Sequence, residues 1–134
     1  MEEIFKFPKK LQRTLLHLKR DGVDAEYVFP AFPKRYMDEK SMALARMGML
    51  DEMNIRSWLV ATKKDLIFVK AGVLRNREDK IPLDAVTDVE YVKEFHDNTI
   101  KIRIGERAED VRFFEEVDGV RFYKFMKNKE WKNL

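Results

Sequence analysis

The chain contains no cysteine, so disulfides, thiolate zinc sites and cysteine nucleophiles are excluded. Histidine is nearly absent too. His17 and His96 fall in different elements, and neither has a second ligand at helical or strand spacing. A surface helix position and a turn position account for them better than a metal or an acid–base role. The five glycines are isolated, which rules out a phosphate-cradling loop. Long apolar runs are missing: the longest, such as Trp58 to Ala61 and Leu66 to Val69, have four residues, whereas a membrane-spanning helix needs about 20. The opening "MEEIFKFPKK" is acidic where a secretory signal would be basic, so the expected compartment is the cytoplasm.

What is present is apolar and charged in nearly equal measure. Of 134 residues, 45% are hydrophobic and 38% charged, with a net charge of only +3. That balance suits one globular domain over 1–134 with a core of its own. With so small a net charge, the placement of charges matters more than their sum.

Residues 8–20, "PKKLQRTLLHLKR", predict an amphipathic helix. Pro8 suits the first turn, Leu11, Leu15 and Leu18 recur at helical spacing, and Asp21-Gly22 stops it. "AEYVFPAF", 25–32, reads as a short strand that Pro30 and Pro33 should confine to an edge or an end. Residues 36–53 predict a second helix, which holds five of the seven methionines. From 56 to 117 the pattern is a meander of strands: 56–63, 65–70, 80–83, 85–95, then Ile100, Ile102 and Ile104 in alternation, then 111–117. Asp118 is placed to cap a last helix, 118–131, whose Phe122, Phe125 and Met126 share one side. Strands in succession followed by a helix imply an α+β domain, mainly β, with an antiparallel sheet and a helical lid.

The stretches "WLVATKKDLIFVKAG", 58–72, "KIPLDAVTDVEY", 80–91, and "NTIKIRI", 98–104, together with the closing helix, resemble bacterial pleckstrin-homology-like (PH-like) domains, in particular the YokE-like group. The family often carries Arg after the first turn, where this chain has Asp65. The resemblance covers about residues 56–128. It implies a partly open antiparallel barrel of about seven strands plugged by the C-terminal helix, with the helix at 36–53 inserted between the first two strands. It also implies a binding or scaffolding role rather than catalysis, without a cofactor.

The residues themselves point the same way. Adjacent carboxylates such as Glu109-Asp110 and Glu115-Glu116 would point to opposite faces of a strand and could not share a proton. No enzyme, metal site or small-molecule substrate is indicated. Two surfaces remain. On the helix at 36–53, Met42, Ala45, Met49 and Met53 form a second apolar stripe opposite Tyr36, Ala43, Met47 and Leu50. Either the domain sandwiches this helix, for example against 8–20, or the stripe is an interface for a second copy or another protein. The other surface is basic. Lys63, Lys64, Arg75 and Arg77 lie in the early strand loops, where eukaryotic PH domains grip inositol phosphates, and could meet an anionic lipid surface or a phosphorylated ligand. Nucleic acid is disfavoured, because the basic residues are diluted by acids. Tyr123 and Trp131 offer only a thin stacking surface.

Overall fold

The structure, a computed structural model, describes residues 2–36, 56–92 and 98–134. The methionine-rich segment therefore lies outside the described residues beyond Tyr36, and so does His96. Helix α1 spans Lys9–Arg20. Seven strands follow: β1 Tyr27–Pro33, β2 Ser57–Ala61, β3 Asp65–Lys70, β4 Arg77–Pro82, β5 Asp88–Val92, β6 Asn98–Ile104 and β7 Arg107–Phe113. Helix α2, Glu116–Lys127, closes the chain, with a short 3-10 turn at Glu130–Asn133.

All pairings are antiparallel, in the order β4-β3-β2-β1-β7-β6-β5. This is the seven-stranded, partly open antiparallel sheet with a C-terminal helix that the resemblance implies. Its inner face holds the main core. Phe29, Phe113 and Phe122 meet there, with ring centroids 5.3 to 6.0 Å apart, and Phe122 and Phe125 of α2 are almost fully buried. Lone apolar rings gain most from such offset and edge contacts. The outer face of β2 and β3 is covered by α1. Leu11, Leu15 and Leu18 pack on Trp58, Val60, Ile67 and Val69. Each such side chain contributes roughly 1.5–3 kcal/mol by leaving water. Cover on both faces explains why "WLVA" and "LIFV" are unbroken apolar runs: all five β2 residues are buried.

Four expectations need correction. Strand β1 is central, not an edge, despite its two prolines. Its first half, Tyr27 to Pro30, pairs with β2, and its second half, Ala31 to Pro33, pairs with β7. Pro30 thus falls where the strand passes from one partner to the other, and Pro33 at its last position. A missing N–H costs least at such places. Strand β4 begins at Arg77 rather than 80, because Arg77 to Pro82 zip along the whole of β3. Strand β7 occupies Arg107–Phe113 rather than 111–117. The tight turn at Gly105, with φ +63°, sets Ile104 opposite Arg107 and restarts pairing at once. Helix α2 accordingly starts at Glu116, with Glu115 as its N-cap and Asp118 inside the first turn.

Candidate functional site

Strand β3 decides the fate of the four basic candidates. Lys63 and Lys64 precede Asp65 at its start. Arg75 and Arg77 follow Lys70 at its end, where Lys70 pairs with Arg77. Six residues of strand separate the two groups by roughly 17–20 Å. The fold does not bring them into one patch. At the first end the hairpin tip is built around buried Thr62. Its Oγ1 accepts the N–H groups of Lys64 and Asp65 at 3.2 and 2.9 Å, while both lysine side chains stay exposed.

The other end carries far more chemistry. Tyr36, on the 3-10 turn that follows β1, sends its hydroxyl to Asp79 Oδ2 at 2.6 Å and the Phe68 carbonyl oxygen at 2.9 Å. Arg77 donates to the same Asp79 oxygen at 3.0 Å and stacks over the Tyr36 ring. Arg35 lies over Phe68 and joins Asp79 on β4 to Glu109 on β7. Burial, then the bond to Asp79, pushes the Tyr36 phenol above its ordinary range. For Asp79, desolvation is the largest influence and opposes ionisation. The Tyr36 bond and the charges of Arg77 and Arg35 together outweigh it and hold the carboxyl below its usual range. Arg77, though exposed, is thus engaged by Asp79 and the Tyr36 ring, and Arg75 beside it is exposed as well.

Beside this cluster, α1 grips the β3–β4 loop, 71–76. Arg13 donates to the carbonyl oxygens of Gly72 at 2.7 Å and Leu74 at 3.1 Å, and to Asn76 Oδ1 at 2.8 Å. Asn76 Nδ2 donates to the Lys10 carbonyl at 2.6 Å and to Thr14 Oγ1 at 2.9 Å, and Thr14 donates on to Glu78 at 2.9 Å. The loop passes so close to itself at Gly72 that a Cβ there would lie 2.0 Å from the Arg75 carbonyl oxygen. His17 is not an idle surface position: its Nε2 lies 2.7 and 2.8 Å from the two Glu78 carboxylate oxygens. Together α1 and the loop line an open cleft of about 670 Å³, to which Arg20 and Arg75 also contribute. At the loop tip Val73 and Leu74 are 90% and 91% exposed.

Sequence reasoning passed over this site. The available signal was the "GVLRN" stretch itself, an aliphatic pair set in a turn between an apolar strand and a charged one. Tyr123 and Trp131 are no stacking surface: Trp131 is buried against Phe125 and Tyr123 packs on Tyr91. Met42, Ala45, Met49 and Met53 lie outside the described residues. Among the described residues no group of three or more His, Asp or Glu is placed to hold a metal ion, and no helix is long and apolar enough to cross a membrane.

No protein-family model matches the chain, and no curated protein matches it. It is similar in structure to the C-terminal domain of an unknown protein from Leishmania infantum. The TM-score is 0.57 at 13% identity, over 91% of this chain and 94% of that one. That likeness is one of fold. A DUF1696 family protein with a pleckstrin-homology domain from Shewanella loihica PV-4 aligns with TM-score 0.42 at 22% identity. The match covers 75% of this chain and 97% of that one.

Proposed function

We propose that the chain is a non-catalytic binding module of PH-like fold, of the YokE-like kind, that works by self-association or contact with another protein through its methionine-rich segment. The observation that supports this reading is the commitment of α1. Its apolar stripe, Leu11, Leu15 and Leu18, is at most 3% exposed and packs on β2 and β3. The helix that could have sandwiched the second methionine stripe has therefore spent its own apolar face on the sheet. An exposed apolar stripe is suited to an external partner, and methionine to adaptable contacts. Both flanks of the segment are anchored at the sheet end that holds the β3–β4 loop: Tyr36 through its hydroxyl, and Arg56 through its carbonyl, which accepts the Ala71 N–H at 2.8 Å.

Light scattering across a concentration series tests it. The wild type should form a dimer or larger species, and Met49→Glu with Met53→Glu should release monomers of unchanged fold. A wild type that stays monomeric at high concentration would end the proposal.

A further inference from the structure

The 3-10 turn at Glu2–Lys6 packs along α1 and leaves a partly enclosed groove of about 330 Å³ between itself, α1 and the approach to β1. On α1 the groove takes Leu15 and Lys19, one turn apart and on the side away from Arg13 and His17. Its floor is apolar: Ile4, Phe7, Leu15, Val23 and Val28 line it, and all belong to the second core beneath α1. The walls are fixed. The Phe7 carbonyl accepts the Gln12 amide at 2.7 Å, and the Val23 N–H donates to the Leu18 carbonyl at 2.8 Å.

The rim carries both signs. Lys19 and Asp24 neutralise one another at 2.7 Å. Lys6 and Glu26 remain, and among the described residues neither side chain has a hydrogen-bonding or ionic partner. Glu26 is half-buried. Its N–H donates to the Ala61 carbonyl at 2.8 Å, so it extends β1 backwards. Strand alternation then puts it on the outer face with Val28, a face otherwise packed with Leu15, Trp58 and Val60. A carboxylate at the margin of such a face is costly unless a cation meets it.

We infer that this groove binds a small zwitterion with an apolar side chain, a free amino acid of the leucine or phenylalanine class. The side chain lies on Phe7, Leu15 and Val28, the α-ammonium meets Glu26, and the α-carboxylate meets Lys6. Charge decides among apolar ligands. A fatty acid leaves Glu26 unanswered, an alkylamine leaves Lys6 unanswered, and a hydrocarbon uses neither. Ligand sites run from about 300 to 1,000 Å³, and a groove at the small end of that range suits a ligand of amino-acid size. The fixed walls keep the ordering cost of binding low. The groove shares no residue with the self-association surface proposed above, so the two ideas stand or fall apart.

Titration of the isotope-labelled full chain with L-leucine and L-phenylalanine, followed by amide chemical shifts, tests this. Both should shift Val23, Glu26 and Val28 saturably, with a Kd of about 1 mM or tighter. Isocaproate, isopentylamine and glycine each lack one of the three features of leucine and should bind at least about tenfold more weakly. Glu26→Gln and Lys6→Gln should each weaken leucine binding at least about tenfold. Neither side chain bonds to the rest of the described domain, and circular dichroism would confirm that the variants fold. If one did not, the ligand series on the wild type would still decide. The inference is overturned if leucine gives no saturable shift by about 10 mM, if isocaproate or isopentylamine binds as well as leucine, or if both folded variants bind like the wild type. The peptide Leu-Gly-Gly keeps the ammonium and the side chain but moves the carboxylate away. Binding of that peptide as tightly as leucine would make the groove a site for peptide amino termini and would also overturn the inference.

Discussion

Tyr36 shows how one side chain can serve both fold and electrostatics at the open end of the sheet. Its ring receives Arg77, its hydroxyl reaches Asp79 on β4, and it sits only 5% exposed. Tyr36→Phe keeps the ring and removes the bond, leaving the Asp79 carboxylate one partner short. A loss of about 1–3 kcal/mol is expected near neutral pH, read by urea unfolding. The sign with pH follows from the shift. The native phenol is raised above 10.0, so its contribution is whole below the unfolded value of about 10 and is lost as pH rises above it. The wild type should therefore lose its advantage over the variant in alkali. Asp79 behaves in the opposite sense. Its lowered native value gives stability that is present above the unfolded carboxylate range, about 3.9, and fades as pH falls through the native value. An advantage that persisted unchanged at high pH would contradict the role given to the phenol.

At the scale of elements, α1 is the part whose importance the sequence understates. It reads as an ordinary amphipathic helix, and its apolar spacing predicts the buried residues correctly: Leu11, Leu15 and Leu18 are all in contact with the sheet. What spacing cannot tell is which surface the stripe meets. The target is the outer face of β2 and β3, and the polar side of the same helix holds the β3–β4 loop through Arg13. Leu15→Asp would place a charge against Trp58 and Val60 in a water-free contact. It should detach α1, shift tryptophan emission to longer wavelength and speed amide exchange in residues 71–76, with the inner core of Phe29, Phe113 and Phe122 still protected. If exchange in that loop stayed slow, α1 would not be its clamp. The hairpin of β2 and β3 was legible in advance, because two short apolar runs and the turn between them are local properties. Of strand β4 only the end was, since "REDK" has no strand signature. It is a strand because β3 offers it a full row of backbone partners.

For the whole molecule, the order β4-β3-β2-β1-β7-β6-β5 leaves β4 and β5 at the ends of the described sheet. An end strand invites pairing with another chain, and charge on it discourages that. Strand β4 carries Arg77, Glu78, Asp79 and Lys80 in succession. Lys80→Val removes one exposed charge and adds a β-former. More turbidity on refolding is expected than for the wild type; equal turbidity would show that β4 needs no such protection.

The order of helices and strands, their apolar faces, the opening hairpin and the lid of Phe122 and Phe125 follow from the sequence by itself, because periodicity and turn chemistry act between residues a few positions apart. Tertiary structure alone decided that Lys63 and Lys64 stand a strand's length from Arg75 and Arg77. It also decided that Arg13 is spent on backbone carbonyls about 60 residues away, and that Val73 and Leu74 are left in water beside Arg75. These outcomes depend on which strand lies next to which and on which face a helix covers. No local pattern carries that information, since it is set by the burial the whole chain achieves at once.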